Sequence, residues 1–154
     1  MARVQLMVLV VVSASLAVPL RADNTYSGVV TGALCAAHGM KCPAHHDLRR
    51  TELPVIFEAP SMAIALANLP QAFLARWAGD SARVIGSTLF DRVIVTARRL
   101  EIKQNNTWTT VFDDGNVIDD MGHRVPLSKA VETHDGKWVC PRCADMMRQH
   151  HNHR

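Results

Sequence analysis

The sequence predicts a mainly β fold: a small five-stranded barrel, closed or partly open, that carries one helix. Three observations predict it. Short segments rich in Val, Ile and Thr recur between turn signals, as strands do. One segment with helical periodicity interrupts them. One long strand changes the phase of its alternation, which requires a bulge and bends the strand.

The first two strands flank a polar loop. Residues 26–34 are rich in Val, Thr and Gly and predict the first strand. Residues 35–51 contain Gly, Pro and several histidines, which is typical of a loop. Residues 53–57 predict a short second strand, in which Pro54 favours a strand start or a sheet edge.

A helix is expected to follow from Asn68 to Gly79. Asn68 is the predicted N-cap, and Pro70 is tolerated in a first helical turn. Gly79 would end the helix in a left-handed conformation. The side chains that share one face of this helix, and so predict its packing against the barrel, are Leu69, Phe73, Leu74 and Trp77.

The long strand contains the phase change. It follows a strand over residues 82–88, in which Gly86 allows a kink or a close backbone approach. Further along, Val95 and Ala97 alternate in one phase, whereas Leu100 and Ile102 alternate in the other. A bulge is therefore expected between them, near the pair at positions 98 and 99.

The last barrel strand and the C-terminal extension follow. Residues 108–112 predict a strand, and residues 113–116 are a strong turn signal whose acids lack calcium-loop spacing. Residues 136–140 predict a strand that runs into a Cys-Pro-Arg-Cys turn, and residues 145–150 predict a short helix. The domain boundaries we expect are 23–112 for the barrel and 113–154 for the extension.

The N-terminus has the composition of a secretory signal peptide over residues 1–22, with Arg3 before an apolar run. The run is shorter than the roughly 20 residues that a membrane span needs, although an uncleaved anchor is the alternative. We therefore expect a periplasmic or secreted protein with no membrane span after cleavage. Removing Arg3 and Arg21 from the 17 basic residues leaves 15 against 14 acids, a net charge of +1. Nucleic acid is thus not an expected partner.

Two clusters of cysteine and histidine carry the candidate chemistry. The first contains Cys35, His38, Cys42 and His45, followed by His46. The second contains Cys140 and Cys143, followed by a tail rich in Met and His. Thiolates and imidazoles separated by two or three residues are typical ligands of zinc, with copper as the alternative ion. The sequence predicts a metal centre of four thiolates, or of two thiolates and two imidazoles, that joins the clusters.

Disulfides are the competing interpretation, because cysteines outside the cytoplasm are often oxidised. A Cys140–Cys143 disulfide would suit a thiol–disulfide redox protein, but a thioredoxin-like fold places that motif early in the chain, at a helix N-terminus. Alternatively, the cysteines only staple a scaffold or an accessory subunit. The tail, including Met146, Met147 and His150, is either a weak metal site or a solvated terminus.

Two stretches of the chain resemble known protein classes. The segment over residues 69–87, with the later stretch 91–102 and the preceding cysteine loop, resembles small exported bacterial OB-fold proteins. The sequence Gly-Lys-Trp-Val-Cys-Pro-Arg-Cys at residues 136–143 resembles half of a zinc ribbon. The resemblances imply an OB-like barrel with a zinc site near the C-terminus, whereas a fold by itself implies no function.

These features together predict an exported metal-binding module with a structural, metal-handling or sensing role. The expected ligands are Cys35, Cys42, Cys140 and Cys143, with His38 or His45 as alternates. The expected partners are a metal ion and a periplasmic protein. An enzyme is not favoured, because the sequence lacks a serine nucleophile elbow and a phosphate loop.

Overall fold

The structure is a computed structural model that describes residues 22–42, 47–58, 60, 62–90 and 93–151. Its strands are β1 (Asn24–Gly32), β2 (Pro54–Glu58), β3 (Met62–Leu66), β4 (Ser81–Phe90), β5 (Ile94–Gln104), β6 (Thr107–Asp113), β7 (Asn116–Ile118), β8 (Arg124–Pro126), β9 (Val131–Glu132) and β10 (Trp138–Val139). Its α-helices are α1 (Ala33–Ala37), α2 (Leu48–Thr51), α3 (Gln71–Ala75) and α4 (Pro141–His151). A short 3₁₀ turn covers Leu127–Lys129.

Strands β1 to β5 form a closed barrel. Their order is β3-β2-β1-β4-β5, and the barrel closes where β3 pairs with β5. This closing pair is parallel, with Ala65 beside Ile94 and Leu66 beside Val95, whereas the other neighbours are antiparallel. The prediction of a mainly β fold with a small OB-like five-stranded barrel is confirmed.

The membership of the barrel differs from the prediction in one strand. The sequence did not predict β3, because its residues Met-Ala-Ile-Ala-Leu favour a helix as much as a strand. The strand predicted at 108–112 exists as β6, but it lies outside the closed ring and extends the sheet beyond β5. Strands β7 and β8 continue this extension, and β9 pairs with β10 in a separate hairpin.

The predicted bulge in β5 is confirmed. Ile85 pairs with Arg99 while the next residue, Gly86, pairs with Ala97, so Arg98 is left out of the register. A Cβ atom on Gly86 would collide with the carbonyl oxygen of Thr96, so the close backbone approach there needs glycine. The bulge lets one face of β5 stay buried on both sides of the bend.

Helix α3 packs as predicted, but it starts differently. Leu69, Phe73, Leu74 and Trp77 are all buried. The helix does not end at Gly79 as predicted: it ends at Ala75, and Gly79, whose φ is the expected positive 89°, lies in the turn that follows. The N-cap, however, is Pro70 rather than Asn68. The Asn68 amide instead accepts a hydrogen bond from the Ala97 N–H at 2.8 Å and donates one to the Ala97 carbonyl at 2.7 Å. The Asn68 side chain thus continues the β3–β5 pairing beyond Ala67, whose N–H donates to the Val95 carbonyl at 3.0 Å.

An aromatic contact packs the C-terminal hairpin against the barrel. Trp138 of β10 meets Phe73 of α3 edge to face, with ring centroids 5.7 Å apart and planes at 82°. Phe73 is 1% exposed and belongs to the main hydrophobic core. This contact sets the position of the residues that follow β10, which include Cys140 and Cys143.

No helix among the described residues is long and apolar enough to span a membrane.

A buried carboxylate joins β5, β6 and β8. Asp113 accepts hydrogen bonds from Arg99 Nε at 3.0 Å and from Arg124 Nη2 at 2.9 Å. The bonds from Arg99 and Arg124 hold the pKa of Asp113 below its ordinary value, against the opposing effect of burial.

We predict that Asp113→Asn lowers the free energy of unfolding at pH 7 by about 1 kcal/mol, because the ionised carboxylate is lost. Since the folded pKa is lowered, the stabilisation is present above about pH 4 and disappears as the pH falls through that lower value. Urea unfolding at several pH values measures the difference. Asp114→Asn, on the exposed turn, is the control and should change little. A deficit that stayed constant into strong acid would contradict the assignment.

Candidate functional site

The first cluster forms where β1 ends and the chain turns into α1. Cys35 lies in this single-turn helix, and Cys42 returns to the end of the strand. The Gly32 N–H donates to the Cys42 sulfur at 3.1 Å, and the Cys42 N–H donates to the Thr31 hydroxyl oxygen at 2.9 Å. Because Thr31 is fully buried, these bonds attach Cys42 to a rigid part of the barrel.

Glu52 completes this cluster from the segment before β2. Its Oε2 accepts hydrogen bonds from the Leu34 N–H at 2.7 Å and the Cys35 N–H at 3.4 Å. The Cys35 thiol donates to the other oxygen, Oε1, at 3.7 Å. A Cβ atom on Gly32 would collide with this carboxylate, so glycine allows Glu52 to approach. The sequence did not indicate Glu52, because a lone acid beyond a long loop carries no spacing signal.

Cys35 and Cys42 are both thiols, and each is partly buried. One ligand atom each from Cys35, Cys42 and Glu52 lies within 4.8 Å of the other two. The hydrogen bond to Cys42, burial, and the negative charge of Cys42 and Glu52 raise the pKa of Cys35 to about 12. The three side chains could hold a metal ion, and two thiolates with one carboxylate are a ligand set that zinc accepts.

The second cluster lies at the start of α4. Cys140 follows β10 directly and is joined to Cys143 as a disulfide, with their Cα atoms 5.2 Å apart. Pro141 begins the helix, a position that proline favours, and the Ala144 N–H donates to the Cys140 carbonyl at 3.0 Å. The helix predicted at 145–150 therefore begins earlier. The sulfur of Cys140 accepts a hydrogen bond from the Cys143 N–H at 3.1 Å.

A tight loop between β7 and β8 brings an acid and a histidine to this disulfide. Asp119 Oδ1 accepts hydrogen bonds from the Met121 N–H at 3.0 Å and the His123 N–H at 2.8 Å. Its Oδ2 lies 3.1 Å from the His123 Nδ1. Ligand atoms of Asp119, His123 and Cys143 all lie within 4.8 Å of one another. These three residues are a second group that could hold a metal ion.

Asp119 is an organised carboxylate rather than a loosely solvated one, since it is only 8% exposed. Burial alone would raise its pKa, but hydrogen bonds from the backbone and ring of His123 and from the Met121 backbone outweigh that effect and lower the pKa. Asp119 therefore stays ionised at neutral pH.

The predicted ligands thus fall into two groups. Among the described residues, Cys35 and Cys42 lie with Glu52, whereas Cys143 lies with Asp119 and His123, so one shared centre of four thiolates is not formed. His38 is exposed at the end of α1 and does not join either described group. His45 and His46 lie outside the described residues. The assignment of the cysteines as metal ligands stays a prediction.

His123 is isolated from both cysteine clusters in the sequence, and its ring is 58% exposed. Only folding brings it beside Cys143, because the 119–123 loop and α4 are far apart in sequence. In the tail, Met146 is exposed and Met147 is partly buried, while the side chains of His150 and His151 lie outside the described part of the chain.

No family model, curated protein or solved structure matches this chain. The function must therefore be argued from the two groups themselves.

We predict that Asp119→Ala lowers the free energy of unfolding by about 2 kcal/mol, since two backbone N–H groups lose their acceptor. Urea unfolding at pH 7 with the disulfide intact measures this loss. His123→Ala removes only a half-exposed ring and should cost less than about 1 kcal/mol. Equal losses in the two variants would mean that Asp119 acts only through His123 and does not organise the loop.

Proposed function

We propose that this protein is an exported metal-binding protein and that Cys35, Cys42 and Glu52 form its primary site. Zinc is the preferred ion, and copper is the alternative. The observation that carries the proposal is the meeting of two thiols and a carboxylate within 4.8 Å, contributed by three separate segments.

The ligand chemistry supports zinc. Zinc binds thiolate sulfur at about 2.3 Å and carboxylate oxygen at about 2.0–2.2 Å. Ligand atoms of a tetrahedral site are then less than about 4 Å apart, so the side chains need only contract slightly around an ion. Thiolates also suit copper(I), which is why the ion is best identified by experiment.

Hydrogen bonds with the backbone and with Thr31 hold Cys42 and Glu52 in place, which favours a binding site over accidental proximity. The hydrogen bonds that position Cys42 come from Gly32 and Thr31 at the end of β1. Glu52 is held by the backbone N–H groups of Leu34 and Cys35. Such contacts orient ligands before the metal arrives, which reduces the ordering that binding requires.

The three ligands found among the described residues favour metal handling over a purely structural role. Structural zinc sites usually have four protein ligands, whereas three ligands leave a position for water or an exchanging group. His38 or His45 is the candidate to occupy that position as an exchangeable ligand, which a ligand from a partner protein would replace when the ion is transferred.

The test is zinc binding by the mature, untagged protein, purified anaerobically without chelator or reductant. We expect one ion per chain by native mass spectrometry, and a loss of affinity of about 100-fold or more in the Cys35→Ser/Cys42→Ser variant. Glu52→Gln should weaken binding by about 10- to 100-fold, because it keeps the shape and removes the charge.

The matched control is the Cys140→Ser/Cys143→Ser variant, which removes the other cysteine pair and should keep this ion. Unchanged affinity in Cys35→Ser/Cys42→Ser, with the ion lost in the control, would contradict the proposal.

A second candidate function is thiol–disulfide exchange at Cys140 and Cys143. The observation that favours it is the location of the disulfide at the start of α4, where a helix terminus stabilises a thiolate. Both cysteines are partly exposed, and an open groove of about 910 Å³ separates α4 from the β9–β10 hairpin. The lining of the groove includes Ala144, the residue after Cys143, so a polypeptide bound in the groove would lie next to the disulfide segment.

Equilibration with glutathione buffers tests this candidate. We expect a reduction potential between about −120 and −230 mV, the range of exchange-active disulfides. A potential below about −300 mV would indicate a structural staple instead, as in a disulfide-stapled scaffold or accessory subunit. Cys35→Ser/Cys42→Ser is the background for this measurement, because it leaves a single cysteine pair to titrate.

A further inference from the structure

We infer that reduction of the Cys140–Cys143 disulfide opens a second metal site, in which both thiolates, His123 and Asp119 bind one zinc ion. This site is separate from the Cys35 site and does not depend on it. The protein would bind zinc there only in the reduced state.

The geometry of three ligands is already present. Ligand atoms of Asp119, His123 and Cys143 lie within 4.8 Å of one another. Cys140 supplies the fourth, because its sulfur is bonded to that of Cys143 in the oxidised protein. Once reduction frees it, the Cys140 sulfur can turn toward these three atoms, and two sulfurs, one nitrogen and one oxygen are a tetrahedral ligand set that zinc accepts.

The oxidation state controls this site because only a thiolate is a strong ligand. In the oxidised protein the two sulfurs are bonded to each other as a disulfide, so Asp119 and His123 are the two ligands that remain. A carboxylate and an imidazole alone do not complete a tetrahedral site. Reduction adds two ligands at once, so metal affinity should change steeply with redox state.

The protein holds these ligands on two rigid segments. On one side, backbone N–H groups of Met121 and His123 fix the Asp119 carboxylate, which in turn contacts the His123 ring. On the other side, the contact of Trp138 with Phe73 anchors β10 immediately before Cys140. With the backbone held on both sides, the change we infer on reduction is a rotation of the two cysteine side chains toward the His123 ring and the Asp119 carboxylate.

The reductant that we expect from a protein partner is a dithiol, which reduces the Cys140–Cys143 disulfide by thiol–disulfide exchange. The dithiol loses two electrons and two protons and becomes a disulfide, while the Cys140–Cys143 bond breaks and both sulfurs become thiols. With a phosphine, the phosphorus takes an oxygen atom from water and the two hydrogens go to the sulfurs. Zinc then displaces the two thiol protons into solvent.

The experiment uses the full mature chain with Cys35→Ser/Cys42→Ser, so that failure of the primary site cannot affect the result. Cobalt(II) is the optical probe, and zinc is then added to displace it. We expect the phosphine-reduced protein, exchanged into phosphine-free anaerobic buffer, to bind one cobalt ion with the absorption of a tetrahedral thiolate site. The oxidised protein should bind at least about 100-fold more weakly.

Two variants in the same background test the inferred ligands. His123→Ala and Asp119→Asn should each weaken binding by the reduced protein by about 10- to 100-fold. His134→Ala, an exposed histidine of the β9–β10 hairpin, is the matched control and should bind normally. Urea unfolding identifies any variant that loses its fold, and the Asn variant keeps the shape of Asp119.

A second readout follows from linkage. Because zinc binds only the reduced form, excess zinc should move the thiol–disulfide equilibrium toward the dithiol. Equal cobalt affinity in the oxidised and reduced proteins would overturn the inference. So would full affinity in both His123→Ala and Asp119→Asn, which would mean that the thiols bind the ion without this loop.

Discussion

The parallel pairing of β3 with β5 is the constraint on which the rest of the structure depends. It closes the barrel at the first half of β5, and the bulge at Arg98 separates this half from the second half, which pairs with β6, while β4 pairs with both halves. Gly86 permits the close approach at that bend, and the Asn68 amide pairs with Ala97 just before it. Closure in turn fixes the end of β1, to which Cys42 is attached, and the core position of Phe73, to which the C-terminal hairpin is anchored.

The barrel illustrates what a sequence can predict. The bulge at Arg98 was predictable because an alternating pattern that changes phase cannot stay buried without one. The face of α3 was predictable from its helical period. Strand β3 was not, because an Ala-rich segment has no strong preference and only its neighbours make it a strand. Asn68 was assigned as a cap from its position, whereas tertiary contact with β5 decided its role.

In the candidate sites, too, local sequence features were predictable and tertiary contacts were not. Cysteine spacing identified both pairs, since local clusters are visible in a sequence. It did not predict their third ligands, because Glu52, Asp119 and His123 reach the cysteines only through folding. It also suggested one shared centre where the described residues form two groups. The two groups differ in chemistry. The first has two thiols beside a carboxylate, and the second has a disulfide beside an ionised, buried carboxylate. One protein would thus combine a metal site that does not require reduction of the Cys140–Cys143 disulfide with a second site that does.

X-ray absorption at the zinc edge would identify the ligands of the primary site, on wild-type protein with the Cys140–Cys143 disulfide intact, Cys35 and Cys42 reduced, and one equivalent of zinc bound. We expect two sulfur neighbours at about 2.3 Å and nitrogen or oxygen neighbours at about 2.0–2.2 Å, from Cys35, Cys42, Glu52 and one further ligand. A shell without sulfur would place the ion in the histidine-rich segments and contradict the account. A shell of four sulfur atoms would contradict it equally, because it would require the two cysteine pairs to meet.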